Sequence, residues 1–102
     1  MASGKVRPDS EGTSERFDDL VVALTTIRNE DTMRRFLRDL CTVAELDAMG
    51  QRLQVAALVE QAIPYAEISK ATGASTATVT RVAHWLRYGE GGYLAVLKKG
   101  KR

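Results

Sequence analysis

A chain of 102 residues, 44% apolar and 27% charged with a net charge of +2, is sized for one small domain. Its single cysteine, Cys41, admits neither an intrachain disulfide nor a cysteine cluster for zinc. It lacks an apolar run long enough to cross a bilayer and the three-part pattern of a secretory signal, so a cytoplasmic protein without membrane or metal partners is expected.

In chain order, residues 1–14 mix Gly, Ser, Pro and charges with almost no apolar groups and predict a disordered tail. Ser14 suits the cap of a first helix in which Phe17, Leu20, Val21 and Leu24 recur at helical spacing, ending near Arg28-Asn29. Asn29 suits the cap of a second, with Glu30 and Asp31 in its first turn and Met33, Phe36, Leu37 and Leu40 on its apolar face. Thr42-Val-Ala-Glu45 has the T-x-x-E form of a capping box before an apolar run that continues to about Gln61. Its apolar positions (Leu46, Met49, Leu53, Val55, Ala56, Leu58, Val59) cover more than one face, which predicts a helix held between two layers. So short a chain has difficulty enclosing such a helix alone, and a symmetric homodimer is the expected solution.

The stretch from Pro64 to Tyr88 reads as a helix with Ile68 and Ala71 facing inward, a turn at Gly73 and a further helix capped by Ser75. On the latter, Val79, Val82 and Leu86 share a face, and Trp85 and Tyr88 beside it are expected to join the core. Gly89-Glu-Gly-Gly92 breaks this helix, and a short last one follows to Leu97, ahead of a basic tail at 98–102. The sequence thus predicts an all-α fold of about six helices, one domain at 15–97, with a helix-turn-helix at 64–88.

That motif carries the functional expectation. Thr76, Thr78 and Thr80 crowd indifferent helix formers into one helix, and hydroxyls and methyls that touch bases and phosphates give them a purpose. From Ala62 onward seven Lys or Arg stand against Glu67 and Glu90, so the positive charge lies in the half that holds the motif. Double-stranded DNA is the expected partner. A helical adaptor for proteins is the alternative, motivated by the modest net charge. No clustering of acid, base and nucleophile suggests an enzyme; His84 stands without one and reads as a surface residue.

Leu46-x-x-Met49-Gly50-x-Arg52, the run Ile68-x4-Gly73-Ala74-Ser75-Thr76-Ala77-Thr78-Val79-Thr80-Arg81 and the ending Tyr88-Gly-Glu-Gly-Gly-Tyr93 resemble the Trp repressor family, in particular its YerC/YecD branch. The resemblance covers about Thr26 to Leu97. It implies an intertwined homodimer presenting two reading heads to a two-fold symmetric operator. The positions it implies for DNA contact are Tyr65, Ser69, Ser75, Thr76, Ala77 and Thr80, to which the charges add Lys70 and Arg81. The threonine and two arginines that clamp the family's corepressor match Thr42, Arg52 and Arg81. Val82 and Trp85 stand where Trp repressor has a glycine and a serine, so Trp85 is expected to occupy the indole space itself. A small-molecule corepressor other than tryptophan, or none, is the expectation.

Overall fold

The computed structural model describes residues 14–100, and among these it contains six α-helices and no strand. The tail expected at 1–14 lies outside the described residues apart from Ser14, as do Lys101 and Arg102. The chain divides into two compact units, Met1–Cys41 and Thr42–Arg102.

The first unit holds α1 (Glu15–Thr25) and α2 (Glu30–Leu40). Ser14 Oγ accepts from the Phe17 amide at 3.2 Å, and Asn29 Oδ1 from the Thr32 amide at 2.8 Å. Each of these caps satisfies a helix-end donor and contributes about 1 kcal/mol. α1 stops three residues short of the expected end. Thr25 and Thr26 turn their hydroxyls back onto the carbonyls of Val22 and Ala23, at 2.8 and 2.7 Å, a local bonding that competes with continuing the helix. On α2, Arg34 pairs with Glu30 at 2.8 Å and Arg35 with Asp31 at 3.1 Å. These exposed i,i+4 pairs support the helix by only about 0.3–0.5 kcal/mol apiece. Neither α1 nor α2 has a buried residue.

The second unit comprises α3 (Val43–Glu60), α4 (Tyr65–Thr72), α5 (Thr76–Tyr88) and α6 (Gly92–Gly100). The expected capping box is present: Thr42 Oγ1 accepts from the Glu45 amide at 3.0 Å, and Glu45 Oε1 accepts from the Thr42 amide at 2.8 Å. α6 runs on past Leu97 through part of the expected tail, taking in Lys98. α3, α4 and α5 pack against one another in all three pairings, and α6 rests on α3 and α5.

The core of this unit is Val55, Ala56, Val59, Ile68, Ala74, Val79, Val82, Ala83 and Leu86. All three residues of α3 in that set lie in its second half. Its first half has no buried residue, and Met49 and Leu53 stay about 40% exposed. The two-sided burial expected of this helix is therefore one-sided within a single chain. Ala71 is also exposed, against expectation, and the inward alanine is Ala74 at 3%.

α3 ends in a way the sequence gives little sign of. Ala62 has φ 64°, its amide donates to the Val59 carbonyl at 2.9 Å, and the Ile63 amide donates to the Leu58 carbonyl at 3.1 Å. This is a Schellman closure with alanine in the left-handed position where glycine is usual.

Candidate nucleic-acid interface

Three residues, Gly73 to Ser75, join α4 to α5. Gly73 has φ 79°, and its amide donates to the Ser69 carbonyl at 2.9 Å. A Cβ there would meet nothing nearer than Gln51 Nε2 at 3.9 Å, so the backbone angle, rather than lack of space, calls for glycine. Ser75 starts α5: its Oγ accepts from the Thr78 amide and donates to Thr78 Oγ1, both at 3.1 Å. Ile68 and Val79, both fully buried, fill the angle between the helices, with Val82 and Ala74 beside them. The packing expected of a helix-turn-helix is thus in place.

Polar side chains brace the turn from inside. Ser69 Oγ donates to the Ala74 carbonyl at 2.5 Å. Thr72 Oγ1 donates to the Ile68 carbonyl at 2.7 Å and accepts from the Ala74 amide at 3.1 Å. From α3, Gln51 Nε2 donates to the Thr72 carbonyl at 3.2 Å. At the far end of the motif Arg87 Nη1 donates to Tyr65 Oη at 3.4 Å.

These bonds sort the expected DNA-contact residues. Lys70, Ser75, Thr76, Ala77, Thr80 and Arg81 are exposed. Tyr65 and Ser69 are half-buried, and both are engaged within the chain, Tyr65 against the core and Arg87, Ser69 across the turn. α5 places Val79, Val82, Ala83 and Leu86 inward at i, i+3, i+4 and i+7. Its outer side therefore runs from Thr76, Ala77, Thr80 and Arg81 to His84, Arg87 and Tyr88. Uncharged groups with short side chains open that surface, and cations follow.

The residues matched to a corepressor clamp do not form one set of walls. Thr42 commits its hydroxyl to the capping box. Arg52 and Arg81 are exposed and have no ion pair among the described residues. Val82, 3% exposed, is a core residue with almost no surface to offer a ligand. Trp85 and Tyr88, expected in the core, are 55% and 73% exposed. The core side of α5 is already filled by its smaller apolar residues, which leaves these rings outside. His84 joins them, its ring centroid 5.2 Å from each. Trp85 also borders an apolar groove of about 480 Å³ with Leu53, Gly89, Tyr93 and Val96, whose walls include none of the other four clamp positions. Gly89 closes α5 there: a Cβ on it would lie 2.4 Å from the Trp85 carbonyl oxygen.

Sequence reasoning missed Gln51 and Thr72, and it placed Arg87 on the second helix of the motif without foreseeing its bond to Tyr65. Gln51 left one trace, its place four residues before Val55 on a stripe that is otherwise apolar.

Comparison with known proteins agrees with this architecture. The family model described as Trp repressor protein matches residues 15–101. YerC of Bacillus subtilis (strain 168), an uncharacterized protein, is 36% identical over 87 residues, which cover 85% of this chain and 84% of YerC. The Trp operon repressor homolog of Actinobacillus succinogenes is 33% identical over 86 residues, covering 83% and 85%. Among solved structures, a TrpR-like protein from Eubacterium eligens superimposes with a TM-score of 0.79 at 34% identity, over 84% of this chain and 89% of that one. The chain belongs to the Trp repressor family, as a Trp-repressor-like protein of the YerC type.

Proposed function

We propose that this chain is a sequence-specific transcriptional regulator that binds double-stranded DNA as a homodimer in the cytoplasm, without tryptophan as corepressor. Family membership supports the general part, a DNA-binding regulator. The observation that carries the specific part is the opening of α5. Ser75, Thr76, Ala77 and Thr80 are exposed with short side chains, on a helix held from behind by a filled core. Such a surface lets a backbone approach base edges in the major groove, while Lys70 and Arg81 neutralise flanking phosphates.

The homodimer rests on apolar surface. Phe17, Val21, Val22 and Leu40 in the first unit, and Met49 and Leu53 on α3, are all at least 40% exposed in the single chain, apolar groups that a second copy can cover. Two copies also match the two half-sites of a palindromic operator. Val82 in the core and Trp85 beside it argue against an indole bound next to α5, so DNA binding is independent of tryptophan. No metal, cofactor or catalytic step enters this reading.

The test is selection from random DNA by the purified protein, with and without tryptophan, together with light scattering. A roughly palindromic site, enriched equally in both arms and bound less tightly as salt rises, is expected. Absence of enrichment together with no shift at low salt refutes it. The exposed cluster of His84, Trp85 and Tyr88 favours a second reading, an adaptor for protein partners. A stable protein complex without salt-sensitive DNA binding would select that one.

A further inference from the structure

One helix outside the motif reaches into its turn. Gln51 lies four residues before Val55 and eight before Val59, so it extends the buried stripe of α3 by one turn, as a polar group. Its Nε2 sits 3.2 Å from the Thr72 carbonyl oxygen, across 21 residues of sequence. A backbone carbonyl can only accept, so the NH₂ end of the amide faces it. That carbonyl belongs to the last turn of α4, where helical acceptors lack a partner within the helix. Gln51 supplies the donor in a partly buried place, next to the one residue of the motif in left-handed backbone, Gly73.

We propose that Gln51 is a positioning residue for DNA reading: it fixes the α4–α5 turn from α3 and thereby sets the angle at which α5 presents Ser75 to Arg81. The proposal rests on the DNA-binding reading above. It carries a further consequence for assembly. Met49 and Leu53 flank Gln51 and are about 40% exposed, so whatever covers them acts on the same helical turn that holds the reading head. The turn's other braces, Ser69 and Thr72, are local to the motif and hold its shape. Gln51 instead ties that shape to α3.

Two full-length variants separate the donor from the bulk of the side chain. Gln51→Met keeps the length and removes the donor. Gln51→Glu keeps the shape and puts an acceptor opposite an acceptor. Amide hydrogen exchange is read at Gly73 and Ala74, and DNA affinity is measured for the selected site and for scrambled DNA at low salt. Both variants should exchange faster at those two amides with little change in melting temperature. Affinity for the selected site should fall about tenfold, the upper range for one net hydrogen bond, while scrambled DNA binds as before. Unchanged exchange in both variants overturns the tie. Faster exchange with undiminished specific affinity overturns the positioning role, as does a parallel loss on both DNAs that follows the folded fraction. A wild-type protein that binds no DNA sinks the DNA-binding reading and the role with it, while the exchange arm still decides whether the tie exists.

Discussion

Ile68→Ala is the substitution that most directly tests how the motif is held. Ile68 is fully buried and is one of the largest such side chains, lying where α4 meets α3 and α5. Truncation to alanine removes three carbons, worth about 2.4 kcal/mol at about 0.8 kcal/mol per buried CH₂. The surroundings cannot collapse fully, because the neighbours Val55 and Val79 are themselves fully buried and already in place. A residual cavity adds to the loss, and the total should fall near 3–4 kcal/mol, inside the range of about 2–5 kcal/mol for such changes. For a domain of this size each kcal/mol moves the midpoint by about 4–8 °C, so a drop of at least about 12 °C is expected. Thermal melting by circular dichroism reads this, with Val79→Ala as a companion that removes two carbons and should cost less. A loss below about 1 kcal/mol for Ile68→Ala would refute the packing described for α3, α4 and α5.

The remaining predictions concern a helix start, a helix end and the DNA surface. Thr42→Ala deletes the capping-box acceptor for the Glu45 amide and should destabilise the protein by about 1 kcal/mol, read from denaturant midpoints. Ala62→Gly should instead stabilise it by up to about 1 kcal/mol, because a left-handed alanine costs roughly 1–2 kcal/mol and glycine returns about 0.5–1 in chain entropy. Equal or lower stability in that variant would contradict the conformation at Ala62. Thr80→Ala should reduce discrimination between operator and non-operator DNA by about 1–3 kcal/mol, whereas Arg81→Ala should weaken both and flatten the salt dependence by about one phosphate contact, a slope change near 0.9. Titrations at several salt concentrations distinguish the two patterns.

The helices of this protein were legible because their ends are written in side chains with a local chemical role. Ser14, Asn29, Thr42 and Ser75 each cap the helix expected of them, and Gly73 takes the left-handed angle a tight turn demands. Less local features were not legible. Periodicity marks Trp85 and Tyr88 as neighbours of the apolar face of α5, but it cannot tell that Val79, Val82, Ala83 and Leu86 already fill the available space. Ala62 has no side-chain feature that announces a positive φ; the closure of α3 imposes it. The exposure of Thr76, Ala77, Thr80 and Arg81, expected at DNA, follows from the register of α5. The inward bonds of Ser69 and Tyr65 depend on partners five and twenty-two residues away, which no single-helix pattern contains.

The distribution of exposed groups over the second unit separates two tasks. α4 and the first turns of α5 expose Lys70, Ser75, Thr76, Ala77, Thr80 and Arg81, none of them a large apolar residue. α3 up to Leu53 and the helix α6 expose Val43, Met49, Leu53, Leu94 and Val96. Because the filled core joins the second half of α3 to α4 and α5, the start of α5 is packed from within, while Trp85 and Tyr88 at its far end stay exposed. Exposed apolar groups of the same α3, Met49 and Leu53, stand within two helical turns of Val55. A single helix thus belongs to both regions, and Gln51 stands where they meet, bonded to the turn on one side and flanked by Met49 and Leu53 on the other. The Gln51 bond to the Thr72 carbonyl therefore ties the exposed stretch of α3 directly to the α4–α5 turn.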